Sequence, residues 1–118
     1  MKVIYIAGKY RANTELELER NIRLAEVAAL KWWKVGWAVI CPHKNTAHFG
    51  GLLPNKDDDY NLWINGDLEI LSRCDAIYML SNWKDSKGAK LELECAKDFG
   101  LEIFYEESEI HHSLIGVV

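Results

Sequence analysis

The sequence predicts a single compact α/β domain in which a doubly wound, mostly parallel sheet of four to five strands carries helices on both faces. Short apolar runs of strand length alternate along the chain with amphipathic helical patterns, which is the order of elements typical of parallel sheets. Glycine and proline residues stand where one pattern gives way to the next. The chain has 118 residues, 49% of them hydrophobic, which suits one core and one domain over residues 1–118.

The first third of the chain supplies a strand, a long helix and a second strand. The apolar run from Val3 to Ala7, ended by Gly8, predicts a buried strand. A helical period follows from Thr14 to Lys34, and Gly36 is placed to terminate that helix. The apolar face of this helix comprises Leu18, Ile22, Ala25, Ala29, Trp32 and Trp33. The second strand runs from Trp37 to Cys41 and stops at the following proline.

The middle of the chain supplies a loop, a helix and a third strand. Thr46 to Asp58 contains two adjacent glycines, a proline and an acidic run, which predict a loop. Asp59 can cap a helix from Tyr60 to Arg73 because its short carboxylate accepts hydrogen bonds from helix N-terminal amides. The apolar run from Ala76 to Leu80 predicts the third strand.

The last third of the chain supplies a helix and a fourth strand. Ser86 can cap a helix from Lys87 to Phe99, which Gly100 ends. Leu101 to Tyr105 predicts the fourth strand, and the tail to Val118 could add a fifth. Strands separated by helices imply a parallel sheet of the flavodoxin or Rossmann kind.

Composition argues against several classes of protein. The net charge of −4 disfavours a general nucleic-acid binder, which usually has a basic face. No apolar run approaches the roughly 20 residues of a membrane span, and the N-terminus is too short and polar for a signal peptide. Three cysteines without C-x-x-C spacing indicate reduced thiols in a cytoplasmic protein. The pair His111-His112 is interpreted as part of a solvated tail, and neither a metal nor a cofactor is expected.

Two acids occupy positions where a surface helix would not place them. Glu92 projects from the middle of an apolar helix face, whereas Glu94 lies in the charged face. The apolar face comprises Gly88, Ala89, Cys95, Ala96 and Phe99. Asp67 lies inside a similar stripe, with Glu69 on the other side; that stripe comprises Tyr60, Trp63, Ile64, Leu68 and Leu71. Because burying an ionised carboxylate is costly, both acids are candidate catalytic residues, as in the paired carboxylates of glycosyl chemistry.

Several candidate binding residues follow the predicted strands. Ligands of parallel sheets bind beyond the carboxyl ends of the strands, where the strand order switches. Three strand ends bring Gly8-Lys9-Tyr10, Pro42-His43 and Ser81-Asn82-Trp83 to this edge, where the helix capped by Ser86 also begins. Gly8, His43 and Trp83 stand out among them. These residues are therefore candidate contacts for a small-molecule ligand.

Motifs along most of the chain resemble the nucleoside 2-deoxyribosyltransferase-like family, including its nucleotide N-hydrolase branch and small uncharacterised relatives. The matching pieces, in order, are Ile4-Tyr5-Ile6-Ala7-Gly8, Asn21 with Ala25, Pro42-His43, Asp67 with Cys74-Asp75, and Trp83-x-x-Ser86-x-Gly88-Ala89-x-x-Glu92-x-x-x-Ala96. The resemblance implies that Glu92 is the nucleophile at the anomeric carbon and that Asp67 handles a proton of the departing base or the sugar. It also implies that Tyr5 positions the Glu92 carboxylate.

The helix start bears on the substrate class. Transferases of the family usually carry an acid where this chain has Ser86. An acid repels a 5′-phosphate, whereas a serine and the neighbouring amides can bind one. Gly88 would let the sugar approach the backbone closely. The expected partner is thus a nucleoside or its 5′-monophosphate, and the extra tryptophans on helices suggest a homodimer or higher homo-oligomer.

Other interpretations stay open at this point. Each candidate has a structural alternative. Glu92 could be a buried acid paired with a structural partner, Asp67 could cap or pair within its helix, and Ser86 is a good N-cap whatever the function. Tyr5 and Trp83 could be core aromatics, and His43 could be a structural histidine. The chain could also be a binding module that kept the fold and lost turnover. A glycohydrolase acting on NAD or another nucleotide conjugate is a third possibility. The absence of a G-x-G-x-x-G fingerprint disfavours an ordinary dinucleotide oxidoreductase.

Overall fold

A computed structural model describes residues 1–45 and 56–109, except for the side chains of residues 56–60. The strands are β1 (Val3–Ala7), β2 (Ala38–Ile40), β3 (Ala76–Met79) and β4 (Glu102–Tyr105). The helices are α1 (Glu15–Lys34), α2 (Pro42–Asn45), α3 (Lys56–Ser72) and α4 (Lys87–Asp98), and a 3-10 turn covers Trp83–Asp85.

The four strands form one parallel sheet in the order β2-β1-β3-β4. Strand β1 therefore lies inside the sheet, paired with β2 on one side and with β3 on the other. The chain first winds from β1 to β2 and then returns past β1 to β3, so the order switches between β1 and β3. In such sheets ligands bind in the crevice beyond the carboxyl ends of the strands at that switch.

Successive residues of the central strands supply two separate cores, because side chains alternate between the faces of a sheet. One face packs against α1, in a core comprising Ile4, Ile6, Ala25, Ala28, Ala29, Trp32, Ala76, Tyr78 and Leu80. The other face packs against α3 and α4, in a core comprising Tyr5, Ala7, Leu71, Cys74, Ile77, Met79, Ala89, Leu93 and Ala96. Helices on both faces of a parallel sheet confirm the predicted fold class.

Both predicted glycine stops are confirmed. Gly36 follows α1 with a φ of +98°, and Gly100 follows α4 with a φ of +74°. Each glycine amide donates to the carbonyl oxygen three residues before the glycine. The amide of the residue after each glycine donates to the carbonyl oxygen five residues before that residue, and the four distances are 3.0 to 3.1 Å. This is the Schellman arrangement, in which glycine adopts the left-handed conformation at no steric cost.

The predicted start of α3 is wrong. The helix includes Lys56, so the expected loop cannot extend to Asp58, and Asp59 lies within the helix instead of capping it. Acidic residues near a helix N-terminus interact favourably with the helix dipole, which suits residues 57–59 to the first turn. The rest of the predicted loop, residues 46–55, lies outside the described residues.

Smaller differences concern edges and surfaces. The segment after β2 begins a short helix with Pro42 at its first position, where a missing amide hydrogen costs nothing. Trp33 and Phe99, both predicted to lie on buried faces, are exposed. Residues 106–109 form a helical turn after β4, and the possible fifth strand falls in residues 110–118, outside the described part. Within the described ranges, no helix is both long and apolar enough to cross a membrane.

Candidate active site

A hydrogen bond between a strand and a helix lies at the centre of the candidate site. The hydroxyl of Tyr5, on β1, donates to Oε2 of Glu92, on α4. Tyr5 is fully buried and Glu92 is only 7% exposed, whereas the side chain of Glu94 is 70% exposed. This difference in exposure between Glu92 and Glu94 is the one that the helical period of the sequence predicts. It arises because Glu92 points from α4 towards the sheet.

The second candidate acid shares this environment. Burial raises the pKa of Asp67, on α3, from 3.8 to about 6. Burial also raises the pKa of Glu92 from 4.5 to about 8, and the charge of Asp67 adds to the rise, although the hydrogen bond from Tyr5 opposes it. The pKa of Tyr5 lies well above its ordinary 10, through burial first and then the charges of the two acids. Asp67, Glu92 and Tyr5 therefore form one cluster, in which the charge of Asp67 raises the pKa of both other groups.

This cluster can supply both an acid and a base. Because burial raises the pKa of both carboxyl groups and the charge of Asp67 raises that of Glu92 further, one proton remains on the pair between about pH 6 and about pH 8. In such a pair, the protonated carboxyl group can protonate a leaving group while the ionised one attacks or stabilises a cation. The electrostatics thus suit Glu92 and Asp67 to glycosyl chemistry.

The start of α4 offers hydrogen-bond donors next to open space. Ser86 caps the helix as predicted, its Oγ accepting from the Ala89 amide at 3.0 Å. Within the described ranges, the hydroxyl hydrogen of Ser86 has no acceptor and could be donated to a ligand. Apart from chain neighbours and the backbone of α4 itself, the only described atom that a Cβ on Gly88 would meet within 4 Å is Ser86 Oγ, at 3.9 Å. A ligand could therefore approach the backbone at this turn.

The loop after β1 is held by residues from two other segments. Asn82 Oδ1 accepts from the Lys9 amide at 2.8 Å, and His43 Nε2 lies 3.0 Å from the Lys9 carbonyl oxygen. A Cβ on Gly8 would lie 2.5 to 2.8 Å from Leu80 atoms, so glycine is required by the close approach of the chain after β3. Gly8 and His43 are thus brought together at the carboxyl edge of the sheet, as the sequence predicts.

Burial determines the state of His43. Its side chain is 4% exposed and packs edge-on against Tyr10, with ring centroids 5.6 Å apart. Burial lowers the pKa of His43 from its ordinary 6.5, so the neutral ring is favoured. Nδ1 has no hydrogen-bond partner among the described residues. The contact with the Lys9 carbonyl oxygen makes His43 a support of the loop after β1.

Other residues of the motif have structural partners. Asn21 Nδ2 donates to the Tyr10 carbonyl oxygen at 3.2 Å, and Asp75 Oδ2 accepts from the Val3 amide at 2.7 Å. The indole of Trp83 donates to Glu107 at 3.1 Å and lies 6.1 Å from the ring of Tyr105. Trp83 thus contacts the end of β4 and the turn after it, and it also packs against the core on the α3 and α4 face of the sheet.

The sequence places Asn82 at this edge with Ser81 and Trp83, but Asn82 was not among the predicted site residues. Its amide oxygen links the chain after β3 to the loop after β1, directly at the switch in strand order. The available signal was a polar residue just beyond a buried strand. Among the described residues, no group of three or more histidine, cysteine, aspartate or glutamate side chains could hold a metal ion. His111-His112 falls outside those residues.

Comparison with known proteins places this arrangement in a family. Residues 2–105 match the family model described as Domain of unknown function (DUF4406). The chain belongs to the DUF4406 family. No curated protein matches the sequence of this DUF4406 chain significantly.

Solved structures share the fold of this DUF4406 domain. A 2-deoxyribosyltransferase from the psychrotolerant bacterium Bacillus psychrosaccharolyticus superposes with a TM-score of 0.64 at 18% identity, over 87% of this chain and 70% of that one. A 2-desoxiribosyltransferase from Leishmania mexicana gives a TM-score of 0.59 at 16% identity, over 89% of this chain and 63% of that one. The resemblance to the 2-deoxyribosyltransferase-like family is therefore confirmed at the level of the fold.

Proposed function

We propose that this DUF4406 chain forms one domain over residues 1–118 that cleaves or transfers the N-glycosidic bond of nucleosides, deoxynucleosides or their 5′-monophosphates. The observation that carries the proposal is the hydrogen bond from Tyr5 to Glu92, a buried carboxyl group close to Asp67. Burying an acid beside a second acid destabilises the fold, even when a hydroxyl group donates to it. Such perturbed acids are typical of functional sites, and glycosyl chemistry uses a pair of them. The fold shared with two 2-deoxyribosyltransferases supports the same reaction class.

In the proposed reaction, Glu92 attacks the anomeric carbon as the bond to the base breaks. The transition state resembles an oxocarbenium ion, whose positive charge a buried carboxylate stabilises strongly. Attack gives a covalent glycosyl ester on Glu92, and water or a second base then releases the sugar. The pair's single proton rests mainly on Glu92 in the free protein, because Glu92 has the higher pKa, and it must move to Asp67 before Glu92 can attack. Asp67 then donates that proton to the departing base, and Tyr5 holds the Glu92 carboxylate in position. No cofactor takes part in these steps.

We further propose that the start of α4 binds the 5′ end of the substrate. The Ser86 hydroxyl and the first amides of α4 can donate to a phosphate, and the helix dipole favours an anion there. The open space over Gly88 would let the sugar come close. Gly8 and His43 shape the loop after β1 beside it. In this proposal Trp83 contributes an aromatic surface, although its indole hydrogen is already donated to Glu107.

We also propose a cytoplasmic homo-oligomer that binds neither nucleic acid nor membranes. The three cysteines are free thiols. Helix α1 exposes several large apolar side chains that a second copy could cover, namely Leu16, Leu24, Val27, Leu30 and Trp33. Light scattering coupled to size exclusion would measure the mass, and a monomer at all concentrations would contradict the oligomer.

The proposed reaction is tested by base release from a panel of nucleosides, their 5′-monophosphates and NAD. We expect wild type to release free base from at least one nucleoside or monophosphate, and Glu92→Ala to abolish that release, because losing a covalent nucleophile costs several kcal/mol of transition-state stabilisation. Glu94→Ala is the matched control on the exposed face of the same helix, and we expect it to be nearly silent.

Each other outcome has a definite meaning. Equal activity of wild type and Glu92→Ala would contradict the nucleophile. Bound nucleotide without released base would indicate a binding module, and release of nicotinamide from NAD alone would indicate a glycohydrolase of nucleotide conjugates.

A further inference from the structure

Three glutamates in the turn after β4 reach back to β3 and to the chain that follows it. Glu106 Oε1 accepts two hydrogen bonds from Ser81, from its amide at 2.8 Å and from its hydroxyl at 2.5 Å. Glu107 accepts from the Trp83 indole at 3.1 Å. Glu109 accepts from the Tyr78 hydroxyl at 2.6 Å. We call these three side chains, Glu106, Glu107 and Glu109, the glutamate clasp.

The clasp also engages two lysines. Lys31, on α1, pairs with Glu109, and Lys84 Nζ lies 3.7 Å from Glu107 Oε2. Two of these three carboxylates therefore meet a cation as well as a neutral donor, and the third meets two donors of one serine. Hydrogen bonds to a charged group are stronger than neutral ones, so the clasp restrains the segment more firmly than neutral side chains would.

The segment that the clasp holds carries the supports of the candidate site. We call residues 80–86 the connecting segment, because they join β3 to α4. Within it, Asn82 accepts from the Lys9 amide at 2.8 Å, which fixes the loop after β1. The segment ends at Ser86, whose amide donates to the Trp83 carbonyl oxygen at 3.0 Å and whose hydroxyl caps α4. A displacement of the connecting segment would thus move both sides of the proposed binding edge.

Glu92 is anchored differently. Its carboxyl group is held by Tyr5 on β1, and α4 packs on the sheet through buried Ala89, Leu93 and Ala96. None of these contacts passes through the clasp. Loss of the clasp should therefore disturb the binding edge while leaving the reacting acid in place.

We propose that the glutamate clasp, and Glu106 above all, positions the connecting segment so that the substrate-binding edge is preformed. Glu106 acts through Ser81 on Asn82 and Ser86, and so it is a positioning residue that touches no substrate. Glu106 is decisive because its two bonds meet the first residue after Leu80, where the chain leaves the sheet. The kinetic consequence rests on the proposed function, whereas the structural consequence does not.

The structural consequence is tested by amide hydrogen exchange, which needs no activity. In Glu106→Ala we expect the amides of Ser81 and Lys9 to exchange about tenfold faster or more, the scale of one lost bond to a charged acceptor. The amide of Tyr5, inside β1, should keep its protection. Glu102→Ala is the matched control, because it removes an exposed glutamate of β4 that lies outside the clasp, and it should leave all three amides unchanged.

Conservative variants separate positioning from general loss of stability. Glu106→Gln keeps an oxygen that can accept both Ser81 bonds, and we expect exchange close to that of wild type. Ser81→Ala removes only the hydroxyl bond and should give a smaller increase at Lys9, which keeps the test valid if Glu106→Ala fails to fold. Equal acceleration at Ser81, Lys9 and Tyr5 would indicate global destabilisation and overturn the proposal. Unchanged exchange at Lys9 would overturn it as well.

The kinetic consequence is tested with any substrate from which wild type releases base. We expect Glu106→Ala to raise KM about tenfold, the worth of one hydrogen bond to a charged group, with little change in kcat. A fall in kcat at constant KM would contradict positioning of the binding edge. If wild type releases no base, the proposed function fails while the exchange measurements still decide the clasp.

Discussion

Replacing Glu92 by glutamine should make the protein more stable as well as inactive. The new side-chain amide cannot attack as a carboxylate, but it keeps the shape of the side chain and an oxygen that accepts from Tyr5. It also carries no ionisable proton. The variant therefore isolates what the fold loses by burying a carboxyl group that ionises.

The magnitude follows from the raised pKa of Glu92. Its value of about 8 in the folded protein compares with an ordinary 4.5. An acid whose pKa is raised by folding keeps its proton in the folded state, so its contribution to stability is complete below about pH 4.5 and is lost as the pH rises towards 8. One pKa unit corresponds to about 1.4 kcal/mol, which gives a loss of about 3 kcal/mol by pH 7. Glu92→Gln escapes this loss.

Chemical denaturation at several pH values between about 4.5 and 8 measures the difference. We expect wild type and Glu92→Gln to have similar free energies of unfolding near pH 4.5 and to diverge steadily above it. At pH 7 the variant should melt about 10 °C higher, given the usual relation between stability and melting temperature for a domain of this size. Glu94→Gln, in the exposed face of α4, should follow the wild-type curve at every pH.

A constant difference between wild type and Glu92→Gln across this range would refute the reasoning. It would mean that Glu92 ionises in the folded protein as readily as in the unfolded chain, and that its surroundings are wetter than its 7% exposure indicates. The case for a catalytic carboxyl group tuned by burial would then lose its electrostatic basis.

Three further predictions concern the other site residues. Asp67→Asn should slow substrates with poor leaving groups most, and an equal loss with poor and activated leaving groups would indicate a positioning role instead. For wild type, kcat/KM plotted against pH should give a bell with limbs near about pH 6 and about pH 8, and Asp67→Asn should lose the descending limb. Calorimetric titration should show that Ser86→Ala weakens 5′-monophosphate binding by about 1–2 kcal/mol and that Ser86→Asp weakens it more. If wild type binds free nucleosides better than their monophosphates, the proposed phosphate site is contradicted. Gly88→Ala should be as stable as wild type or more stable, because its Cβ enters open space. The variant should nevertheless lose base release, and full activity would refute the close approach of the sugar to that turn.

Local chemistry made much of the fold predictable. Gly36 and Gly100 stop their helices because few other residues adopt a left-handed conformation cheaply, and a serine before α4 caps it whatever surrounds the helix. Periodicity also placed Glu92 towards the core. The same periodicity failed for Trp33 and Phe99, which are exposed although they border apolar faces. Whether a residue at the edge of an apolar stripe is covered depends on where the neighbouring helices and strands end. The hydrophobic period of one helix carries no information about that.

By itself, the sequence determined the alternation of strands and helices, the two faces of α4, and the two acids that stand in apolar stripes. These features depend on residues a few positions apart, and local geometry fixes them. The tertiary structure alone decided that Tyr5 meets Glu92 across 87 positions, that Asn82 holds Lys9, and that Glu106 holds Ser81. Such contacts depend on the order of strands and on the exact approach of segments distant in the chain. The raised pKa values of Glu92 and Asp67 belong to the same class, because burial and neighbouring charge exist only once the helices pack on the sheet.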